Sequence, residues 1–130
     1  MKAEELMLGD WVSCDGSPRK VVAIAGDHIG VRKTTEEGLS YIAGQQIGKV
    51  SPVTLSAEIL DKNGFRPEGA VHRLNGKGYA VGVSLEEPCE IHIRIGASRL
   101  TSDYAHIEAR YVHQLQHALR LFGVGLDIVL

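Results

Sequence analysis

Residues 55–65, LSAEILDKNGF, mark the point at which the chain changes from short strands to a mixture of helices and strands. Ser56 is a residue type that caps helix N-termini, and Glu58 complements the positive end of a helix. Gly64 suits the left-handed position that follows a helix. The stretch therefore predicts a helix of about two turns, too short to be stable by propensity and held by burying its apolar side chains.

The chain before this helix consists of short segments rich in β-branched residues and separated by turn residues. Asp15 and Gly16 form a dipeptide that favours a tight hairpin, because glycine tolerates positive φ. The candidate strands are residues 11–14, 20–25, 28–33, 39–43 and 49–53. Five short strands at this spacing predict that residues 1–53 form an SH3-like small β-barrel.

The chain after residue 53 predicts an α+β half that packs closely against the barrel. Residues 75–78, NGKG, are a strong hairpin signal between strands at 70–74 and 79–85. Further strands are expected at 90–95, 104–109 and 126–130, with a helix that ends at Gly123. The predicted fold class is α+β: an N-terminal SH3-like small β-barrel, then an antiparallel sheet with a short middle helix and a C-terminal amphipathic helix.

Charge and composition narrow the function classes. The formal net charge of −2 is spread evenly, with six basic and seven acidic residues in 1–53 and eight and nine in 54–130. Without a basic arm, the chain is a poor candidate for binding nucleic acid. No apolar stretch is long enough to span a bilayer or resembles a signal peptide, so we expect a cytoplasmic protein without a membrane partner. Cys14 and Cys89 are isolated and are expected to be reduced, although the sequence leaves a bond between them open.

Residues 111–123, YVHQLQHALRLFG, place two histidines four residues apart, as in half of a zinc-peptidase signature. A metal site at His113 and His117 needs a third ligand, which would be His106, His92, His72 or a carboxylate. The glutamate that activates water in that signature is replaced by Gln114, which cannot accept a proton in the same way. We therefore predict no catalytic residue and no cofactor, and keep His113, His117 and His106 as weak metal candidates.

A helical wheel divides the same stretch into two faces. His113, His117 and Arg120 lie almost opposite an apolar stripe, so the wheel directs them towards solvent or a partner. The stripe consists of Tyr111, Val112, Leu115, Ala118, Leu119 and Phe122. We predict that His113, Gln116, His117 and Arg120 bind a partner.

Three segments in order, ELMLGDWV, LSAEILDKNGF and YVHQLQHALRLFG, carry a family resemblance. They resemble a family of small uncharacterised proteins of gut-bacterial genomes, their prophages and other mobile elements. Relatives with this pattern commonly have asparagine where this chain has His117, which implies that the histidine pair is a local feature of this sequence. The resemblance implies no activity, substrate or catalytic residue.

These observations lead to three hypotheses about function. The first is a non-enzymatic cytoplasmic module, of prophage or mobile-element origin, that binds another protein or its own copy. The second is a metal-dependent hydrolase that uses the HxxxH helix. The third is a small barrel that binds nucleic acid.

Overall fold

The structure, a computed structural model, describes the backbone of residues 1–96 and 103–130 and the side chains of residues 1–96 and 107–130. It confirms an α+β fold built from two five-stranded antiparallel sheets and two helices. The chain divides into two compact units, Met1–Val53 and Thr54–Leu130. Among the described residues, no helix has the length and apolar character needed to cross a membrane.

Unit 1 contains the first sheet. Its strands are β1 (Trp11–Cys14), β2 (Ser17–Ala25), β3 (His28–Thr34), β4 (Ser40–Gln46) and β5 (Val50–Pro52), in the spatial order β4-β3-β2-β1-β5. A 3₁₀ turn at Ile47–Lys49 carries the chain from β4 back to β5, which pairs with β1. The sheet does not close into a barrel, because β4 and β5 remain its two ends among the described strands.

The first hairpin forms at the predicted turn. Asp15 and Gly16 have φ values of 51° and 77°, and Cys14 pairs directly with Ser17. Two successive residues with positive φ give the turn whose twist matches that of the flanking strands. The turn thereby fixes the register of β1 on β2.

Alternation along the strands places the core of unit 1 on one face of its sheet. The buried residues are Leu6, Val12, Cys14, Val21, Ile29, Val31 and Val50. Because the side-chain period of a strand is two, burial of Ile29 and Val31 directs Gly30 and Arg32 to the opposite face. Each β4 residue points to the same face of the sheet as the β3 residue with which it pairs.

Both cysteine thiols are free, and they differ in environment. Cys14 is buried in the core of unit 1, where desolvation raises the pKa of its thiol, an effect that the nearby charge of Lys33 partly opposes. Cys89 is half-buried, and its Sγ donates a hydrogen bond to the carbonyl oxygen of Leu85 at 3.4 Å.

The two thiols are expected to react at different rates with Ellman's reagent. Only the thiolate is nucleophilic, and a raised pKa lowers the thiolate fraction at any given pH, so Cys14 should react slowly while the protein is folded. Stopped-flow absorbance should resolve one fast and one slow thiol. A Cys14→Ala variant should lose only the slow phase; loss of the fast phase would contradict the assignment.

Unit 2 contains the second sheet and both helices. The strands are β6 (Arg66–Glu68), β7 (Val71–Gly76), β8 (Tyr79–Ser84), β9 (Glu90–Ile95) and β10 (Asp103–Glu108), each paired with its neighbour in sequence. The helices are α1 (Ala57–Lys62) and α2 (Val112–Leu121). The hairpin at 75–78 and the alternation in β9, where Ile91 and Ile93 are buried, confirm the predicted sheet. The short edge strand β6 was not predicted.

Both ends of α1 are as the sequence predicts. Ser56 Oγ accepts a hydrogen bond from the Ile59 N–H at 3.2 Å. At the other end, Gly64 has a φ of 89°, and the Phe65 N–H donates to the Leu60 carbonyl at 3.0 Å. Leu60 and Phe65 are fully buried, so this short helix is stabilised by packing.

The C-terminal segment differs from the prediction. Residues 126–130 form no strand. Instead, the Asn63 side chain binds the backbone of Val129, donating from Nδ2 to its carbonyl and accepting from its N–H at Oδ1, both at 2.8 Å. One side-chain amide thus satisfies the peptide groups that a neighbouring strand would otherwise pair.

Candidate functional site

Helix α2 begins at a junction built by backbone and side-chain hydrogen bonds. The Leu55 N–H donates to the Arg110 carbonyl at 2.9 Å, and Thr54 forms an isolated bridge with Tyr111. Gln114 Oε1 accepts hydrogen bonds from the backbone N–H groups of Arg110 at 2.8 Å and Tyr111 at 3.0 Å. The residue at the position of the zinc-peptidase glutamate therefore serves as a helix cap.

Four of the six residues of the apolar stripe of α2 are buried as the wheel predicts, and Tyr111 and Phe122 are half-buried. The prediction that the opposite face is directed away from the protein is wrong for His113. Val112, Leu115, Ala118 and Leu119 are buried. His113 and Gln116, at 4% and 6% exposure, are buried as well. The wheel describes the helix alone, and it cannot show which other segments cover a second face.

The two histidines of the HxxxH pair contact each other. The His113 ring stacks on Tyr111, with 5.9 Å between ring centroids, and meets His117 edge-to-face at 5.6 Å. In the part of the chain whose side chains are described, no three histidine, cysteine, aspartate or glutamate side chains form a group able to hold a metal ion. The side chain of His106, the third candidate, lies outside the described residues.

Two of the predicted partner-binding residues lie at a cleft of about 280 Å³. Gln116 and Arg120 form one wall. The other wall is the C-terminal segment, with Val124, Gly125, Leu126, Asp127 and Ile128. Arg120 is exposed and His117 is half-buried, so these two are the more accessible members of the set. Partner binding by His113, Gln116, His117 and Arg120 stays a prediction.

A second surface, which the sequence did not reveal, lies along β4 at the end of the first sheet. Residues 39–46, LSYIAGQQ, contain no charged residue and no proline. Leu39, Tyr41 and Ile42 are 68%, 46% and 60% exposed. The strand itself was predicted over 39–43, but its position at a sheet edge depends on strand order, which one sequence does not disclose.

Ile42 is held flat on the outer face of the first sheet. Its Cγ2 would lie 3.0 Å from a Cβ built on Gly30, and the Ala23 Cβ would lie 3.1 Å from the same position. Glycine at position 30 therefore leaves room for Ile42 to lie across β3. On the same face, Arg32 Nη1 donates a hydrogen bond to Ser40 Oγ at 2.8 Å. This bond holds the Arg32 guanidinium against β4 of its own chain.

The other edge strands in the described part of the fold have features that prevent pairing with another strand. β5 and β6 are three residues long, and each contains a proline, Pro52 or Pro67. β10 begins at Asp103 and ends at Glu108. Short length, proline and charge are the usual means of preventing an edge strand from pairing with another chain. β4 has none of the three.

No family model matches this chain, and searches of the curated proteins and of the solved structures find no significant similarity. The resemblance to small proteins of gut-bacterial genomes and prophages therefore stays a prediction.

The capping role of Gln114 is tested by two substitutions. Gln114→Ala removes the acceptor for two backbone N–H groups and should lower the free energy of unfolding by about 1 kcal/mol. Gln114→Glu creates the HExxH spacing, keeps the acceptor and should change that free energy by only a few tenths of a kcal/mol. Urea unfolding followed by circular dichroism measures both. Equal losses in the two variants would contradict the capping role.

Proposed function

We propose that the protein is a non-enzymatic assembly module that associates with a second copy of itself by pairing β4 with β4 of the partner. The observation that carries the proposal is the uncharged, seven-residue edge strand with exposed Tyr41 and Ile42. The sequence predicted a module that binds either another protein or its own copy. The present proposal selects the second of these partners. A cytoplasmic location and an origin in a mobile element remain predictions.

The backbone of β4 supplies the directional part of the interaction. β4 is paired with β3 from Ser40 to Gln46, on one side only among the described strands. Along an antiparallel edge, alternate residues direct their N–H and C=O groups away from the sheet, where a further strand can bind them. In a second copy, the same groups are present at the same spacing.

The side chains of β4 suit an antiparallel arrangement about a two-fold axis at Ile42. Ile42 would then face Ile42 of the second copy on one face of the joined sheet. On that same face Ser40 would face Gly44. On the opposite face Tyr41 would face Ala43. In the Tyr41–Ala43 and Ser40–Gly44 pairs a larger side chain faces a smaller one, and in the central pair isoleucine faces isoleucine. None of these cross-strand pairs contains a charged residue.

Electrostatics do not oppose this pairing. The Arg32 guanidinium is bonded to Ser40 Oγ, and the two copies of Ser40 would be four residues out of register, so the two charges would be about 14 Å apart. That exceeds the Debye length of about 8 Å at physiological ionic strength. Burying Ile42 contributes about 1 to 2 kcal/mol per copy, so the pairing should be reversible and dependent on concentration.

We further propose that unit 1 is an SH3-like half-barrel. Four strands form a meander, and the fifth returns to β1 after a 3₁₀ turn, which supports this assignment. The assignment concerns architecture and gives no function by itself.

Ile42→Lys should convert the protein to a monomer. The substitution places two ammonium groups opposite each other and removes the apolar contact, so the association constant should fall more than about tenfold. The control is Leu121→Lys, which removes a 75% exposed leucine from α2 and should leave association unchanged. Sedimentation velocity over a range of concentrations measures both. A wild-type protein that is monomeric at every concentration, or equal behaviour of the two variants, would contradict the proposal.

A further inference from the structure

A cleft of about 200 Å³ lies on one face of the second sheet. It is lined by Val71 and Arg73 from β7, Ala80 and Gly82 from β8, and His92 and Arg94 from β9. These residues alternate along their strands with buried residues such as Val81 and Ile93, so the cleft lies on the face opposite that core. None of its lining residues belongs to β4 or α2.

The floor of the cleft is formed by small residues of the central strand. On this face β8 has only the small residues Ala80 and Gly82, whereas the strands on either side of it carry long side chains. Gly82 does not have positive φ, and a Cβ at this position would lie 3.1 Å from Val71 Cγ1, so the glycine makes room for Val71. A glycine within a strand also lets a ligand approach the backbone closely.

The walls of the cleft carry two arginines and a histidine, and two of these three side chains are close to carboxylates. Arg73 and Arg94 stand on opposite sides of β8, on strands about 10 Å apart. Arg73 Nε lies 2.9 Å from Glu68 Oε2, an ion pair whose geometry is not that of a hydrogen bond. The terminal amino groups of Arg73 are further donors. His92 Nε2 lies 3.2 Å from Glu90 Oε2. Arg94 forms no ion pair with the residues whose side chains are described.

We propose that this cleft binds a small oxyanion, a carboxylate or a phosphate, between the guanidinium groups of Arg73 and Arg94. A guanidinium offers planar paired donors that match the oxygens of either group. The volume is below the 300 to 1,000 Å³ usual for drug-sized ligands, so the ligand is small. Val71 supplies the apolar part of the lining. This site does not depend on the pairing of β4.

The test is isothermal titration calorimetry of the full chain with two probes, inorganic phosphate and succinate, at constant ionic strength. The inference expects saturable binding of at least one probe, and the stronger probe distinguishes phosphate from carboxylate chemistry. Arg94→Gln should weaken that binding about tenfold or more. The matched control is Lys62→Gln, which removes an exposed positive charge of the same unit that does not line the cleft and should leave the affinity unchanged.

A second variant separates the shape of the cleft from its charge. Ala80→Ile keeps every charged group and fills the floor, so it should also abolish saturable binding. Circular dichroism and urea unfolding establish that each variant is folded. Absence of saturable binding of both probes to the wild-type protein would overturn the inference. Equal weakening by Arg94→Gln and Lys62→Gln would do so as well, because that result indicates attraction by net charge alone.

Discussion

An open β-sheet has two edge strands whose outward peptide groups lack a strand partner, and this constraint governs the surface of the protein. Peptide groups are strong hydrogen-bonding groups, so an exposed edge either stays in water or pairs with another strand. Proline and short length limit pairing at β5 and β6. Among the described strands, the long edge at β4 has no neighbour on its outer side, and the proposed assembly follows from this.

The core of unit 1 determines which side chains this edge presents. Because Ile29 and Val31 are buried, their register partners Gln45 and Ala43 lie on the core side of the sheet, and Ile42 lies on the outer side. A slip of one residue would exchange the two faces. Packing of the core and presentation of Ile42 are therefore consequences of the same register.

The local features of the fold were predictable from sequence because their causes are local. Ser56 and Gly64 mark the ends of α1 through hydrogen bonding and backbone geometry that involve only neighbouring residues. The turn at Asp15 and Gly16 works in the same way. The failures involve residues distant in sequence: the strand predicted at 126–130 is replaced by the bonds between Asn63 and Val129, and His113 is buried despite its place on the polar side of the wheel.

The candidate site was less accessible to sequence reasoning than the fold. The HxxxH pair drew attention to α2, where Gln114 proves to be a cap and the histidine rings contact each other. Strand order, which makes β4 an edge and sets Arg73 across β8 from Arg94, depends on pairings between strands and has no signature in a single sequence.

Disulfide trapping tests the central claim most directly. Two variants, Ile42→Cys and Ser40→Cys, are compared in a Cys89→Ala background, which removes the more accessible native thiol. If two copies pair about Ile42, the cysteines at position 42 face each other and form a covalent dimer under mild oxidation. The cysteines at position 40 would be four residues out of register, about 14 Å apart, and should stay reduced. Equal cross-linking of both variants, or none at position 42 at concentrations where the protein self-associates, would contradict the account.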